Sequence, residues 1–237
     1  MSLKNYKLTE FQEQRLRNGL SAALSIPFID SIEDFIWESI FCYTKEIQFA
    51  DPLMGIRSKK LFDVVDVNKQ IGWSAKALQW NMKVGGEFEL VIQRADVFKK
   101  RIALGFHDLT INSAPNIIGA ALLKHWQNKV NDDAQAQTVI DKRVCILIKS
   151  NTNRKFAYFE EEIATYKPSD IIWRWTDDTK TGLQGIREMD NFCVYRWYPN
   201  QKQFFERFKF EEGNYIVEIE PKRLGLNEII DLLIQIT

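Results

Sequence analysis

Two carboxylates and an ammonium stand in segments whose other residues belong to strand interiors. In 60-KLFDVVDVNKQIGWSAKALQW-80, Asp63 and Asp66 interrupt an apolar, β-branched run. Ser74 and Lys76 lie inside a second run that follows a polar break. Two kinds of chemistry suit this set. A carboxylate and a lysine facing each other across a hairpin form an ion pair worth a few tenths to about 1 kcal/mol. The same groups can hold a hard divalent cation, which prefers carboxylate oxygens, and can stabilise charge developing on a phosphodiester.

Geometry decides which groups meet. Alternate side chains of a strand share a face, so Ser74 and Lys76 point together while Asp63 and Asp66 point apart. A two-residue loop, Asn68-Lys69 or Lys69-Gln70, puts Asp63 on the face of Ser74 and Lys76. A three-residue loop centred on Gln70 puts Asp66 there instead. The sequence leaves both registers open.

The elements that must position these residues follow from periodicity. The hairpin strands are expected at about 60–67 and 72–81. Segment 8–24 reads as a helix capped by Thr9, with Phe11, Leu16 and Leu20 near helical spacing. Segment 31–47 reads as a second helix, with Ser31 and Asp34 as a capping signal and Ile32, Phe35, Ile36, Ile40 and Phe41 as its apolar face. Helices are also expected at 87–103, at 114–137 with Pro115 in the first turn, and at 225–236 with Asn227 as cap. The continuous apolar run 143-RVCILIKS-150 has the texture of a strand buried on both faces. From 154 onward short aromatic-rich strands alternate with turn residues. The implied class is α/β (α+β), a central mixed sheet flanked by helices. Residues 1–237 read as one domain, because a cut near 150 would leave VCILI without strand partners.

Bulk properties narrow the function. The 237 residues are 45% hydrophobic and 27% charged, with formal net charge zero. That balance argues against indiscriminate polyanion coating. Local basic clusters exist at Lys59-Lys60, at 99-KKR-101 and in the loop 149-KSNTNRK-155. Cys42, Cys145 and Cys193 show no zinc-ligand spacing. Cys145, inside VCILI, reads as a buried small hydrophobe. No apolar run has membrane-spanning length and the first residues do not resemble a signal peptide, so a cytoplasmic protein is expected. GxSxG, P-loop, HExxH and GxGxxG motifs are all missing. Of the two histidines, His125 in LLKHWQN reads as a partly buried structural residue.

Asp63 followed by Ser74-Ala75-Lys76 resembles the PD-(D/E)xK nuclease superfamily, whose signature is an aspartate on one strand and an acidic-x-lysine on the next. Asp66, three residues after Asp63, is similar to the second aspartate of short-hairpin type II restriction endonucleases. GWSAKAL also resembles the GWSxKT strand of restriction enzymes with serine in place of the acid. The resemblance covers about residues 31–150, read as the catalytic core, with 151–237 as a strand-rich extension. It implies a Mg²⁺-dependent, sequence-specific endonuclease acting on double-stranded DNA as a homodimer and leaving 5′-phosphate and 3′-hydroxyl ends. It implies Mg²⁺ held by Asp63 or Asp66, the Ala75 carbonyl and Glu38, with Glu33 in a similar position, and Lys76 orienting the attacking water. Ser74 departs from the pattern, since a hydroxyl is a weak Mg²⁺ ligand.

Other residues suit contact with DNA. Gln93 and Arg94 follow Glu89 on the expected 87–103 helix, and the resemblance makes Gln93 a candidate near the phosphate. Arg174 stands between Trp173 and Trp175, followed by Lys180 and Gln184. Arg196, Asn200, Gln201 and Lys202 form a second interleaved set. Arg, Asn and Gln can make paired hydrogen bonds to base edges. Trp173, Trp175, Trp197 and Phe205 read mainly as packing residues with charged neighbours extending to solvent.

Overall fold

The structure, a computed structural model, describes residues 6–48, 60–150, 154–211 and 215–235. Lys59 and residues 151–153 of the basic clusters lie outside these. The fold is α+β. In chain order its elements are α1 (Glu10–Ser25), α2 (Asp34–Lys45), β1 (Val64–Asp66), β2 (Ile71–Gln79), β3 (Glu87–Arg94), α3 (Pro115–Ala136), β4 (Asp141–Lys149), β5 (Lys155–Glu162), β6 (Ile171–Trp175), β7 (Leu183–Arg187), β8 (Phe192–Tyr198), β9 (Gln203–Lys209), β10 (Tyr215–Glu218) and α4 (Leu226–Ile234). No described helix is long and apolar enough to cross a membrane.

The strands form two five-stranded sheets rather than one central sheet. The chain divides into two compact units that interleave along the sequence instead of separating near 150. Unit 1 comprises Met1–Lys83, Asp133–Ile163 and Glu212–Thr237, and unit 2 comprises Val84–Asp132 and Ala164–Glu211.

The sheet of unit 1 runs β1-β2-β4-β5-β10. β2 and β4 are parallel, and the other neighbours are antiparallel. A parallel pair needs a long crossover, usually helical. Here α3 precedes β4, as the 114–137 periodicity predicts. β4 is central, and Val144 to Ile148 are all buried. α1 and α2 cover one face, packing Leu16, Leu20, Trp37 and Phe41 against Trp73, Ala75, Cys145, Leu147 and Tyr158. α1 starts as expected: Thr9 accepts from the Gln12 N–H, and the Gln12 side chain accepts from the Thr9 N–H. α2 begins differently, with Glu33 as an N-cap that makes no side-chain capping bond. Ser31 instead accepts a hydrogen bond from the buried Lys149 ammonium, which also donates to the Ile32 carbonyl at 2.8 Å.

A buried charge cluster ties β2, β4, β5 and α2 together. The Glu160 carboxylate, fully enclosed, accepts from Lys45 Nζ (2.8 Å), Arg143 Nη1 (3.0 Å), Trp73 Nε1 (2.6 Å) and the Tyr158 hydroxyl. Arg143 also pairs with Asp141 and lies over the Tyr6 ring.

The sheet of unit 2 is antiparallel throughout, in the order β3-β9-β8-β7-β6. β3 is where helix was expected at 87–103. In EFELVIQR, Phe88 and Leu90 alternate inward with period two, and β9 supplies the ladder partner. Pairing partners far along the chain override local helical spacing. A register shift between Val91 and Gln93 then ends the regular alternation, and turns occupy 97–105.

The inner face of this sheet packs on α3. The Trp173 N–H donates to Asn116 Oδ1 at 2.9 Å. Its indole lies so close to α3 that a Cβ on Gly119 would fall 2.3 Å from the ring. Trp173 stacks on Tyr195, and Trp197 donates its indole N–H to the Ala95 carbonyl at 3.0 Å. Trp173 and Trp197 are buried core residues, in line with the packing reading.

Candidate active site

The site of interest lies on the β1 side of β2. Val64 pairs with Trp73 and Asp66 with Ile71. The connection is therefore the four residues 67–70, an even number, and Asp63 lies just before the first paired residue, Val64. The loop is longer than either the two-residue or the three-residue loop left open by the sequence, and Asp63, not Asp66, is the carboxylate that meets Lys76. The Asp63 N–H donates to the Trp73 carbonyl at 2.9 Å, so Asp63 and Val64 both face Trp73 where the pairing ends.

Beyond Asp63 the chain leaves β2, and the outward N–H groups of β2 lose their strand partner. Buried or half-buried backbone donors must be satisfied, and carboxylates do so here. The Ala75 N–H donates to Asp63 Oδ2 at 2.9 Å, and the Ala77 N–H donates to Asp34 Oδ1 at 2.7 Å. N–H and C=O of one strand residue point to the same side, so the Ala75 carbonyl opens onto this edge too. Lys76 Nζ lies 2.8 Å from Asp63 Oδ2, with the two side chains 31% and 22% exposed. The ammonium is thus aimed by Asp63 yet reachable from solvent. Ser74 is buried beside them.

Asp66 does not join the group. It accepts from the Lys69 N–H at 3.0 Å and pairs with the Lys69 ammonium at 3.3 Å, closing the turn. Burial opposes its charge, but the Lys69 N–H and ammonium outweigh it and hold the carboxyl below its usual range. Glu33 is the cap residue of α2 and pairs with Lys149 at 3.4 Å. Its carboxyl is lowered by the Ser31 hydroxyl and then by Lys149. Glu38 is buried on α2, where its charge adds to the burial that pushes the Cys42 thiol up to about 12.

Among the described residues no three His, Cys, Asp or Glu side chains are grouped so as to hold a metal ion. Asp63, Asp66 and Glu38 are therefore not gathered into one set. The donors that β2 and Asp63 do offer a cation are one carboxylate and the Ala75 carbonyl, beside the Ser74 hydroxyl. Mg²⁺ is often held by one or two protein carboxylates and keeps several waters, so this set is small but of the right chemistry.

Sequence reasoning missed Asp34. It appeared only as a capping signal, whereas its side chain caps the open edge of β2. A signal existed in its position four residues before Glu38, one helical turn away. Nothing in the sequence shows that the Ala77 N–H lacks a strand partner.

The expected DNA contacts all fall in unit 2. Gln93 sits on β3 opposite Phe204, with its Nε2 buried and without a hydrogen-bond partner. Glu89 pairs with Arg196 and Arg207. Arg94 is exposed opposite Gln203. Arg174, Gln184 and Arg196 pair across three neighbouring strands. Lys180 and Lys202 are engaged within the unit: Lys180 donates to Asn112 Oδ1 at 2.9 Å, and Lys202 pairs with Asp96 at 2.7 Å. Asn200 and Gln201 are at or near the exposed β8–β9 turn. His125 is buried, and burial lowers its pKa.

No protein-family model, curated protein or solved structure matches this chain.

Proposed function

We propose that unit 1 carries the active site of a Mg²⁺-dependent DNA endonuclease of the PD-(D/E)xK type, in a form that has serine at the usual second acid. The observation that carries this reading is the convergence of Asp63 and Lys76 at the open edge of β2. The Ala75 backbone lies between them, and the apolar strand β4 runs parallel beside β2. Asp63 and the Ala75 carbonyl would hold the cation. When bound, Mg²⁺ neutralises charge on the scissile phosphate and lowers the pKa of a bound water.

The chain's own residues do the positioning. Asp63 is fixed by the Ala75 N–H, so its other oxygen keeps a set direction. Lys76, oriented by Asp63, presents its ammonium to the attacking water and to the phosphate oxygens. Asp34 holds the Ala77 N–H and so keeps β2 straight past Lys76. Double-stranded DNA is the substrate in this reading. Two copies of the chain cut the two strands of a twofold-symmetric site.

The test is incubation with unmethylated plasmid and phage DNAs, in Mg²⁺ or EDTA, beside Lys76→Ala. Discrete fragments that need Mg²⁺ and vanish in the variant are expected. A second reading, a nucleic-acid-binding module without catalysis, is favoured by the small donor set and by Ser74. DNA binding with no cleavage of any linear, plasmid or branched DNA would select it. Ser74→Asp separates the two further. In the nuclease it raises Mg²⁺ affinity, read by titration calorimetry, and in the binding module it leaves metal binding negligible.

A further inference from the structure

The register of the second sheet lines up residues that the sequence scatters over more than a hundred positions. Arg174 on β6 pairs with Gln184 on β7, Gln184 with Arg196 on β8, Arg196 with Phe205 on β9, and Phe205 with Val91 on β3. Paired residues share a face, so these five side chains form one row across all five strands. The adjacent inner row, containing Trp173, Gly185 and Tyr195, is the one buried against α3. The five-residue row therefore occupies the opposite, outer face.

The groups on this row have unused hydrogen-bonding capacity. Arg174 is exposed and has no ion pair among the described residues, and the Gln184 side chain has no hydrogen bond among them. Arg196 Nη1 reaches the Tyr198 hydroxyl at 3.3 Å and Glu89 at 3.4 Å, while its Nε is buried with no partner. Tyr198 and Phe205 pack edge to face, 5.5 Å between centroids, and both remain partly exposed. Planar guanidinium and amide groups beside aromatic rings are the chemistry that stacks on bases and bonds their edges.

The width of the sheet selects the form of nucleic acid. Five strands span about 19 Å from first to last, at about 4.8 Å per step. A major groove is about 12 Å wide and admits a helix or a two-stranded ribbon. This face cannot enter a duplex groove, but it can receive bases splayed from a single strand. We propose that the outer face of the unit 2 sheet binds single-stranded DNA, with Arg174 and Arg196 at the phosphates or base edges and Tyr198 and Phe205 as stacking groups. This substrate assignment rests on the nuclease reading: the preferred DNA carries the double-stranded cleavage site beside an unpaired segment.

The test is fluorescence anisotropy of the full chain with a labelled single-stranded oligonucleotide and with the matching duplex, in EDTA so that nothing is cut. The single strand is expected to bind more tightly than the duplex. Phe205→Ala should weaken single-strand binding roughly five- to a hundred-fold, the range for loss of one base–aromatic stack. Arg174→Ala, at an exposed position where folding is not at stake, should weaken it and reduce the slope of log affinity against log salt by about 0.7. Equal binding by Arg174→Ala, or tighter binding of the duplex, overturns the proposal. So does loss of self-association alone in Arg174→Ala, which would make the face an interface between copies. The two readings fail separately. DNA cleavage that needs Lys76 but ignores Arg174 sinks only the surface. Single-strand binding that needs Arg174, without any cleavage, sinks only the nuclease.

Discussion

Replacing Glu160 by glutamine removes one negative charge from a fully buried cluster and changes almost nothing in shape. The carboxylate accepts four donors, two of them cationic. Arg143 keeps Asp141 as a second partner. Among the described residues Lys45 has no other carboxylate: its side chain is 10% exposed, and beyond Glu160 it has the faces of Phe41 and Tyr158. The variant therefore strands a buried ammonium, and breaking a buried pair in this way costs about 3–5 kcal/mol. For a chain of this size each kcal/mol moves the midpoint by about 2–4 °C, so calorimetry should show a fall of about 6–20 °C. Adding Lys45→Met should recover part of the loss, because the double variant no longer buries a lone charge. The pH dependence has a definite sign. Burial opposes the charge of Glu160, but Lys45, then the hydrogen bonds from Lys45, Tyr158 and Trp73, hold its carboxyl below the usual range. A lowered carboxyl contributes stability that is complete above the unfolded value of about 4.3. That contribution is lost as pH falls through the folded value. The gap between the parent protein and Glu160→Gln should thus be constant near neutrality and close below about pH 4. A fall of under about 1 kcal/mol, or a gap that widens in acid, would refute the reasoning.

Other perturbations follow from the same geometry. Gly119→Ala drives a methyl to 2.3 Å from the Trp173 ring and should lower the urea midpoint by the equivalent of about 1–3 kcal/mol despite the gain in helix propensity. Native alkylation with iodoacetamide should spare Cys42 and Cys145, whose buried thiols are both raised, and label Cys193, the half-buried one. Asp66→Ala loosens a turn at a cost of about 1 kcal/mol; under the proposed nuclease reading it should leave DNA cleavage intact, whereas Asp63→Ala should abolish it.

Much of the scaffold was legible because local and global preferences agree. VCILI is apolar without alternation, and it is the central strand. Thr9 with Gln12 is a capping box, and it starts α1. The register of the hairpin turned on loop parity, which composition near Asn68 does not settle. The segment 87–103 misled because apolar residues in EFELVIQR satisfy both a strand face and part of a helical stripe. Only β9, more than a hundred residues away, decides between them. Asp34 was hidden for a related reason, since its role depends on where a neighbouring strand stops. The row Arg174–Gln184–Arg196–Phe205 was visible as residue types but not as a row, because it exists only once five strands have paired.

The interleaving of the two units bears on how the chain can fold during synthesis. β3 pairs with β9 in a register that joins Glu87 to Lys209, 122 residues later. At about 5–20 residues per second, the ribosome needs roughly 6–24 s between the two. Throughout that interval β3 waits with its ladder groups unpaired and Phe88 and Leu90 without their sheet. A strand in that state is a site for wrong pairing. A nascent chain of this protein is thus most exposed to aggregation late in translation, and slowing elongation should worsen its yield while a strand-shielding chaperone should restore it.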